Sequence, residues 1–286
     1  MRRYSPEVRA KVEKPIEIKV FRRELDYEHQ KLPKSTGVIV WYESNLRHLR
    51  ESVMTKEKNS RLLIQVINLP IRRDRLALMA SQLNGAGLGF ETLVAVDGKK
   101  TGLESKFLSM GEIGCFKSHV SAMRRHKETG AAYSLILEDD AAFTSTVNEK
   151  FLSEMIDLME RNKLDILQIG YIEHLYALTL RSGILESVID LLNGRGRKDS
   201  SGVRFVVGEF RSGAHAYIVN KRLSEGISGA VSEPPLLPWD DWLGLMAKAQ
   251  THRNFRIARL VKSVVSQASR SSQNSKIDSD IEGPES

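Results

Sequence analysis

Strand-like and helix-like segments alternate along the chain from Leu62 onward, and this alternation constrains the fold most strongly. The run Leu62–Asn68 is almost continuously apolar and has strand length, as in strands buried on both faces of a parallel sheet. A helix is predicted to follow from Pro70, with apolar residues at helical spacing until Gly85. Phe90–Val96 predicts the next strand, so these segments form a β-α-β unit.

The same alternation continues through the middle of the chain. Further strands are predicted at Tyr133–Leu137, Asp165–Gly170, Arg204–Phe210 and His215–Val219, and helices at Gly111–His126, Asn148–Asn162, from Lys221 and from about Asp240. Strands that alternate with helices favour an α/β fold, with a mostly parallel sheet flanked by helices on both faces.

The two ends of the chain differ from this central part. Residues 1–60 are dense in charge and irregular, and are predicted to form a basic N-terminal extension. Residues 266–286 form a polar tail that is predicted to be disordered. The folded domain is therefore expected to span residues 61–265.

The net positive charge of the chain lies before residue 61 and after residue 251. Of the formal net charge of +7, residues 1–60 carry +5, residues 61–251 carry 0 and residues 252–286 carry +2. No basic patch interleaved with aromatic residues and no nucleic-acid motif is found, so a nucleic-acid partner is not expected. Attraction of the basic extension to an anionic membrane surface is the alternative.

The chain has one cysteine, Cys115, which excludes an intramolecular disulfide and a cage of several thiolates. No apolar run has the length of a signal peptide or of a membrane-spanning helix. The expected location is therefore the cytoplasm, with a possible peripheral position at the inner face of the membrane.

An apolar strand runs directly into three carboxylates, Glu138, Asp139 and Asp140. Ligands of open α/β sheets bind at the carboxyl ends of the strands, which is where this cluster falls. Adjacent carboxylates repel one another, and a divalent cation such as Mg²⁺ or Mn²⁺ with oxygen ligands would compensate that repulsion. A solvated turn that caps the next segment is the alternative, and the residues leave both interpretations open.

The first strand is followed by Asn68 and by three arginines, among them Arg72 and Arg75. Guanidinium groups beside a helix N-terminus can bind phosphate, although a solvated helix start is the alternative interpretation. No G-x-G-x-x-G or G-x-x-x-x-G-K-[ST] sequence occurs here, so neither a Rossmann dinucleotide fingerprint nor a P-loop is supported.

Two glycines open the helix predicted at Gly111, and Ser118 and His119 follow within it. These side chains could hydrogen-bond a sugar or a phosphate, or they could be buried and structural. Cys115 lies four residues before His119, on the same helix face. Without a visible third partner we interpret Cys115 as structural rather than as a nucleophile.

Asp240 and Asp241 lie between Trp239 and Trp242. A carboxylate in a partly apolar pocket can have its pKa raised toward that of a working general base, and indole faces pack against sugar rings. The alternative interpretation is that Asp240 caps the following helix.

In their order along the chain, these segments resemble glycosyltransferase family 25, which includes lipopolysaccharide, lipooligosaccharide and collagen galactosyltransferases. The resemblance extends from about Leu62 to Ile277. It is carried by Val66-Ile67-Asn68-Leu69 with Asp74-Arg75, Ala95-Val96-Asp97-Gly98, Gly111-Glu112-Ile113-Gly114-Cys115 with Ser118-His119, Leu137-Glu138-Asp139-Asp140, Gly213-Ala214-His215-Ala216-Tyr217 and Pro238-Trp239-Asp240.

The resemblance implies a GT-A fold, a UDP-sugar donor, most often UDP-galactose, a divalent Mn²⁺ or Mg²⁺ ion and inversion at the anomeric carbon. It implies Asp140 and Glu138 as metal ligands, and Asp240, with Asp241 as second choice, as the base that deprotonates the acceptor. The donor-binding residues that it implies are Asn68, Arg72, Arg75, Asp97, Ser118, His119, Glu138 and Asp139.

The implied acceptor is a hydroxyl group of a lipooligosaccharide or polysaccharide-type glycan or glycolipid. A non-catalytic protein that binds a nucleotide sugar or a glycan on the same fold is the alternative function. The basic extension and residues 181–202 do not align with the family pattern, which leaves the acceptor open.

Overall fold

A computed structural model describes residues 61–172, 196–231, 235–249 and 255–268 of the 286-residue chain. Over these residues it contains a ten-stranded sheet flanked by helices. The predicted extension (1–60) and the tail beyond residue 268 lie outside the described residues.

The described strands are β1 (Leu62–Asn68), β2 (Glu91–Val94), β3 (Tyr133–Glu138), β4 (Ala141–Phe143), β5 (Ile166–Gly170), β6 (Gly196–Lys198), β7 (Arg204–Val207), β8 (Ala216–Asn220), β9 (Ile257–Leu260) and β10 (Val265–Gln267). The described helices are α1 (Arg73–Gly85), α2 (Met110–Glu128), α3 (Glu149–Asn162), α4 (Lys221–Ala230) and α5 (Trp239–Lys248), with a 3-10 turn at Gly98–Lys100.

The strands lie in the order β2-β1-β3-β8-β5-β9-β7-β6, and β10 pairs beside this path with β4 and β5. Strand β1 is parallel to β2 and β3, and β5 is parallel to β9. Strand β8 runs antiparallel between β3 and β5. Most strands share one direction, so the predicted α/β class with a mostly parallel sheet flanked by helices is confirmed.

The sheet is buried on both faces, which explains the nearly continuous apolar runs of its central strands. Leu135 and Leu137 of β3 pack into a cluster that includes residues of α1 and α3. Ile136 points to the opposite face and packs with residues of α2, α4 and α5. This alternation along β3 follows from the two-residue period of a strand. It also fixes the direction in which the strand end presents its carboxylates.

Two helix starts differ from their predictions. Helix α1 begins at Arg73 rather than Pro70, because the Arg72 backbone N–H donates to the Leu69 carbonyl (2.8 Å) and closes a turn first. Helix α2 begins at Met110, where Ser109 caps it in a capping box with Glu112. The predicted starts relied on Pro70 in a first helical turn and on the glycines from Gly111, and neither signal registers these local hydrogen bonds.

The polar segment from Ser266 begins inside strand β10 rather than in a tail. Ser266 and Gln267 pair with β4 in antiparallel register. The described strand therefore runs past the boundary predicted at residue 265. Polar composition alone did not predict it because its pairing partner lies more than a hundred residues earlier in the chain.

Among the described helices, none combines the length and the apolar character needed to span a membrane.

Candidate active site

A cavity of about 390 Å³ opens at the carboxyl ends of β1, β2 and β3. This volume falls in the range of roughly 300–1,000 Å³ that is typical of small-molecule sites. The predicted site residues that line it are Arg75, Asp97, Ser118, His119, Glu138, Asp139 and Asp140. Asn68, Arg72, Asp240 and Asp241 are not in its lining. The sheet and helix α2 thus bring most of the predicted donor and metal residues to one cavity.

The three adjacent carboxylates are separated by their partners. Strand β3 ends at Glu138, and Asp139 and Asp140 form the turn into β4. Glu138 contacts α2, Asp139 contacts residues at the end of β1 and in α1, and Asp140 contacts β10. Each carboxylate therefore has its own electrostatic environment.

Asp139 is held by two of the residues predicted to bind the donor. Its Oδ2 accepts a hydrogen bond from Asn68 Nδ2 (2.7 Å), and its Oδ1 lies 3.4 Å from Arg75 Nη1. The Asn68 amide also donates to the Arg72 carbonyl (3.0 Å). Burial raises the pKa of Asp139 to about 6, against the opposing effects of Asn68 and Arg75. Asn68 thus positions Asp139.

Glu138 is tied to helix α2. Its Oε1 lies 3.0 Å from His119 Nε2 and 3.8 Å from Cys115 Sγ. Nδ1 of His119 lies 2.9 Å from the Tyr217 hydroxyl, and the imidazole stacks on Trp239 at a centroid distance of 5.3 Å. Burial raises the pKa of Glu138, but the hydrogen bond and charge of His119 outweigh it, so this pKa is lowered. Glu138 is therefore held as a carboxylate.

Asp140 keeps one carboxylate oxygen without a hydrogen-bond partner. Its Oδ2 accepts a bond from Gln267 Nε2 (2.8 Å), while Oδ1 is buried and unpaired within the described part of the chain. Burial, followed by the charge of Glu138, raises the pKa of Asp140. A buried carboxylate oxygen is costly unless a proton or a cation compensates it.

Within the acidic turn, Asp140 is therefore better suited than Asp139 to bind a divalent cation. Asp139 already has donors on both oxygens, whereas Asp140, which lines the cavity, has an Oδ1 without a hydrogen-bond partner among the described residues. Carboxylate oxygens suit Mg²⁺ and Mn²⁺. Asp140 with Glu138 remains the pair predicted to hold the metal.

Ser118 fixes the cavity wall instead of presenting a free hydroxyl. Its Oγ accepts from the Val96 backbone N–H (2.8 Å) and donates to the Gly114 carbonyl (2.7 Å). These bonds attach the segment after β2 to helix α2. Asp97, in that segment, lines the cavity and accepts a bond from the Lys99 N–H (3.1 Å). Ser118 thereby positions the segment that presents Asp97.

Arg72 pairs with the neighbouring Asp74. Its Nε and Nη2 donate to the Asp74 carboxylate at 3.2 and 3.1 Å. This contact lowers the pKa of Asp74. Arg75 is the arginine of this segment that reaches the cavity.

Asp240 lies in the first turn of α5, and the alternative interpretation of it as a helix cap is wrong. Pro238 occupies the cap position without a side-chain bond. Asp240 Oδ2 accepts from the Gly213 N–H (2.9 Å), and its Oδ1 accepts from the Asp241 N–H (3.0 Å). Burial raises the pKa of Asp240, and the charges of Asp241 and Glu138 add to this effect. A fixed carboxylate with a raised pKa is suited to accept a proton.

Two contacts of the site were missed by sequence reasoning. Gln267 was assigned to the polar tail, and its contact with Asp140 depends on the pairing of β10 with β4. Tyr217 belongs to a segment that carried the family resemblance, but nothing in the sequence indicated its contact with His119. Both contacts join segments about a hundred or more residues apart.

Comparison with known proteins gives a match over the part of the chain that carries most of these site residues. The family model described as "Glycosyltransferase family 25 (LPS biosynthesis protein)" matches residues 62–242. A "Glycosyltransferase 25 family member" of Anopheles gambiae is 29% identical over 133 residues, which covers 40% of this chain and 22% of that protein. "Procollagen galactosyltransferase 2" of Homo sapiens is 29% identical over 120 residues, which covers 36% of this chain and 19% of that protein. The matched part thus spans about a fifth of these relatives' length.

Proposed function

The chain belongs to glycosyltransferase family 25, and from this premise we propose that it transfers a hexose, with galactose as first choice, from a UDP-sugar to an acceptor hydroxyl group. The family predicted from the sequence is confirmed, and glycosyltransferase activity is the core of the proposal. The proposal adds inversion at the anomeric carbon, dependence on a divalent cation, and a glycan or glycolipid acceptor.

One observation supports this proposal most directly. Asp140 and Arg75 line a cavity of about 390 Å³, and one carboxylate oxygen of Asp140 is buried without a hydrogen-bond partner among the residues that the structure describes. A cation site beside a guanidinium group is the arrangement that a nucleoside diphosphate needs. When bound, Mn²⁺ or Mg²⁺ held by Asp140 and Glu138 would supply charge for the departing diphosphate.

The protein residues around the donor have separate tasks in this proposal. Arg75 and the segment that carries Asp97 form the walls against which the nucleotide lies. Asn68 keeps Asp139 fixed, and His119 keeps Glu138 ionised. These contacts pre-organise the acidic turn, so that little rearrangement is needed when the donor binds.

Asp240 is the proposed general base, and Asp241 is the second choice. The acceptor hydroxyl oxygen forms a bond to the anomeric carbon, and its proton passes to the Asp240 carboxylate. The bond between that carbon and the diphosphate oxygen breaks, and its electron pair leaves with UDP. The raised pKa of Asp240 brings its basicity closer to that required at neutral pH.

The acceptor is proposed from the family description, which refers to lipopolysaccharide biosynthesis, and from the name procollagen galactosyltransferase of one relative. A sugar hydroxyl of a bacterial-type glycolipid is our first choice. Residues 1–60, with a net charge of +5, are proposed to attract the protein to an anionic membrane that carries such an acceptor at its cytoplasmic face.

A donor screen tests the proposal. Purified protein with Mn²⁺ is incubated with UDP-galactose, UDP-glucose and UDP-N-acetylglucosamine, and released UDP is measured with and without core oligosaccharides. We expect release from one donor, and a product one hexose heavier by mass spectrometry. Calorimetric binding of UDP without turnover on any acceptor would instead support the non-catalytic alternative. Failure to bind any UDP-sugar would contradict the proposal and would leave only a glycan-binding protein as the alternative.

A further inference from the structure

Cys115, His119 and Glu138 converge on one wall of the cavity. Cys115 Sγ lies 3.8 Å from Glu138 Oε1, His119 Nε2 lies 3.0 Å from the same oxygen, and the three ligand atoms all lie within 4.8 Å of one another. We propose that these three side chains bind a divalent cation that accepts both sulfur and nitrogen ligands, such as Zn²⁺. This site differs in chemistry from the hard-oxygen site proposed at Asp140.

The distances are close to those of a tetrahedral zinc site. With bonds of about 2.3 Å to sulfur and about 2.0–2.1 Å to nitrogen and oxygen, tetrahedral geometry places the ligand atoms roughly 3.3–3.6 Å apart. The two contacts to Glu138 Oε1, 3.0 and 3.8 Å, bracket this range. Each of these two distances would change by about 0.3 Å on binding, and the sulfur and the imidazole nitrogen, which lie within 4.8 Å of each other, would approach to about 3.6 Å.

The scaffold that presents these ligands is rigid. Cys115 and His119 are one helical turn apart on α2, and thus project from the same face. Next to them, Gly114 touches the backbone of the segment after β2 so closely that an added Cβ would lie 2.5 Å from the Val96 carbonyl oxygen. Glu138 ends the buried strand β3.

The imidazole also has an outer partner of the kind that metal-ligating histidines have. Tyr217 Oη lies 2.9 Å from His119 Nδ1, and Trp239 stacks on the ring. For Nε2 to bind a cation, the ring proton must sit on Nδ1, from which it would donate to Tyr217 Oη. Such outer hydrogen bonds fix the tautomer and orientation of a histidine ligand.

Binding requires the loss of the thiol proton of Cys115 and of any proton on His119 Nε2, which faces Glu138 Oε1 in the metal-free protein. In the metal-free protein the Cys115 thiol lies 3.8 Å from Glu138 Oε1 and donates toward that carboxylate. When the metal–sulfur bond forms, the thiol proton is released to solvent, as in other thiolate sites.

All three ligands line the cavity, so the fourth position of the tetrahedron faces the space proposed for the donor. A cation bound there would also occupy Glu138, which is shared with the Mn²⁺ or Mg²⁺ site proposed at Asp140. We therefore expect Zn²⁺ to compete with the nucleotide sugar. This consequence, unlike the cation site itself, rests on the proposed function.

Cobalt provides the test, because Co²⁺ replaces Zn²⁺ and reports its ligands by absorption. The chain has a single cysteine, so a thiolate-to-cobalt charge-transfer band can arise only from Cys115. We expect this band at one equivalent of Co²⁺, its loss on adding Zn²⁺, and its absence in both Cys115→Ser and Cys115→Ala. His119→Gln should weaken Co²⁺ binding at least tenfold, and Tyr217→Phe by roughly tenfold.

Asp140→Asn serves as the matched control, since it alters the neighbouring oxygen site and should keep the band. Circular dichroism establishes that each variant is folded, and gel filtration excludes a bridge between two chains. Absence of the band at saturating Co²⁺, or an unchanged affinity in folded His119→Gln, would overturn the proposal. If the band forms while UDP does not bind, the cation site stands and the proposed function fails. If UDP binds and the band is absent, the proposed cation site is wrong and the proposed function stands.

Discussion

Gln267 Nε2 lies 2.8 Å from Asp140 Oδ2, although 127 positions separate the two residues in the chain. A second contact reinforces this one, because the Ala268 N–H donates to the Asp140 carbonyl at 2.7 Å. The amide occupies one oxygen of the carboxylate and leaves Oδ1 buried without a partner in the described structure. The end of β10 therefore determines which atom of the acidic turn is available to a ligand.

Replacement of Gln267 by alanine tests this relationship. A hydrogen bond to a charged group contributes roughly 1.5–3 kcal/mol, so Gln267→Ala should lower the free energy of unfolding by about that amount. It should also weaken Mn²⁺-dependent UDP binding, because Asp140 is no longer held. Urea denaturation and calorimetry measure the two effects. Ser266→Ala, on the same strand, is the control, and equal behaviour of the two variants would contradict the prediction.

Asp140→Asn should separate activity from stability. Burial disfavours the Asp140 carboxylate, so a neutral amide of the same shape is expected to keep or raise the free energy of unfolding at pH 7. The same change should reduce UDP release by about a hundredfold or more, because the unpaired oxygen is replaced. Thermal unfolding and the donor assay measure the two results. A folded variant with full activity would remove Asp140 from the site.

Asp240→Asn and Asp241→Asn distinguish the two candidate bases. Loss of a general base lowers the rate by roughly 10²–10⁴-fold. We expect this loss in kcat for Asp240→Asn, with UDP binding close to that of the unaltered protein. The kcat of Asp241→Asn should fall less than that of Asp240→Asn. A larger loss of kcat in Asp241→Asn would exchange the two assignments.

His126 should make the stability of the fold depend on pH. Burial lowers the pKa of His126 to about 4, from an ordinary value of 6.5. Its Nε2 donates to the Ala131 carbonyl and its Nδ1 accepts from the Ser224 hydroxyl, so the folded protein holds the neutral ring. Between these pKa values the unfolded chain binds a proton that the folded protein does not.

The free energy of unfolding should therefore fall as the pH falls from about 6.5 toward 4, by at most about 1.4 kcal/mol per pH unit from this group. Denaturant unfolding between pH 7.5 and 5.5, a range of about two units around the ordinary histidine pKa, measures how the free energy of unfolding changes with pH. The free energy of unfolding of His126→Gln should be lower at pH 7.5 but should change less with pH. Parallel curves for the two proteins would count against a buried neutral His126.

Gly98→Ala should disrupt the cavity wall. An added Cβ at Gly98 would lie 1.6 Å from the Met110 carbonyl oxygen, and a backbone atom cannot move aside cheaply. We expect a loss of about 3 kcal/mol or more in the free energy of unfolding, or no folded protein. Gly89→Ala is the matched control, because nothing lies within 4 Å of its added Cβ. It should change stability by about 0.5 kcal/mol at most.

The sequence by itself determined the class of fold and the place of the acidic turn. The alternation of apolar strands with helices is a local property, and the step from Leu137 to Glu138 is visible without any knowledge of the sheet. The order of the segments also predicted the family, and the match over residues 62–242 confirms it. Helix starts were predicted less well, because the turn before Arg73 and the cap at Ser109 depend on individual hydrogen bonds.

Only the tertiary structure decided how the three carboxylates differ. In sequence Glu138, Asp139 and Asp140 are equivalent neighbours, but one contacts His119, one contacts Asn68, and one contacts Gln267. These partners come from α2, the end of β1 and the end of β10, which the strand order of the sheet brings to one edge. The pKa and the free lone pairs of a carboxylate depend on burial and on nearby charges in space. For that reason the assignment of separate chemical tasks required the fold.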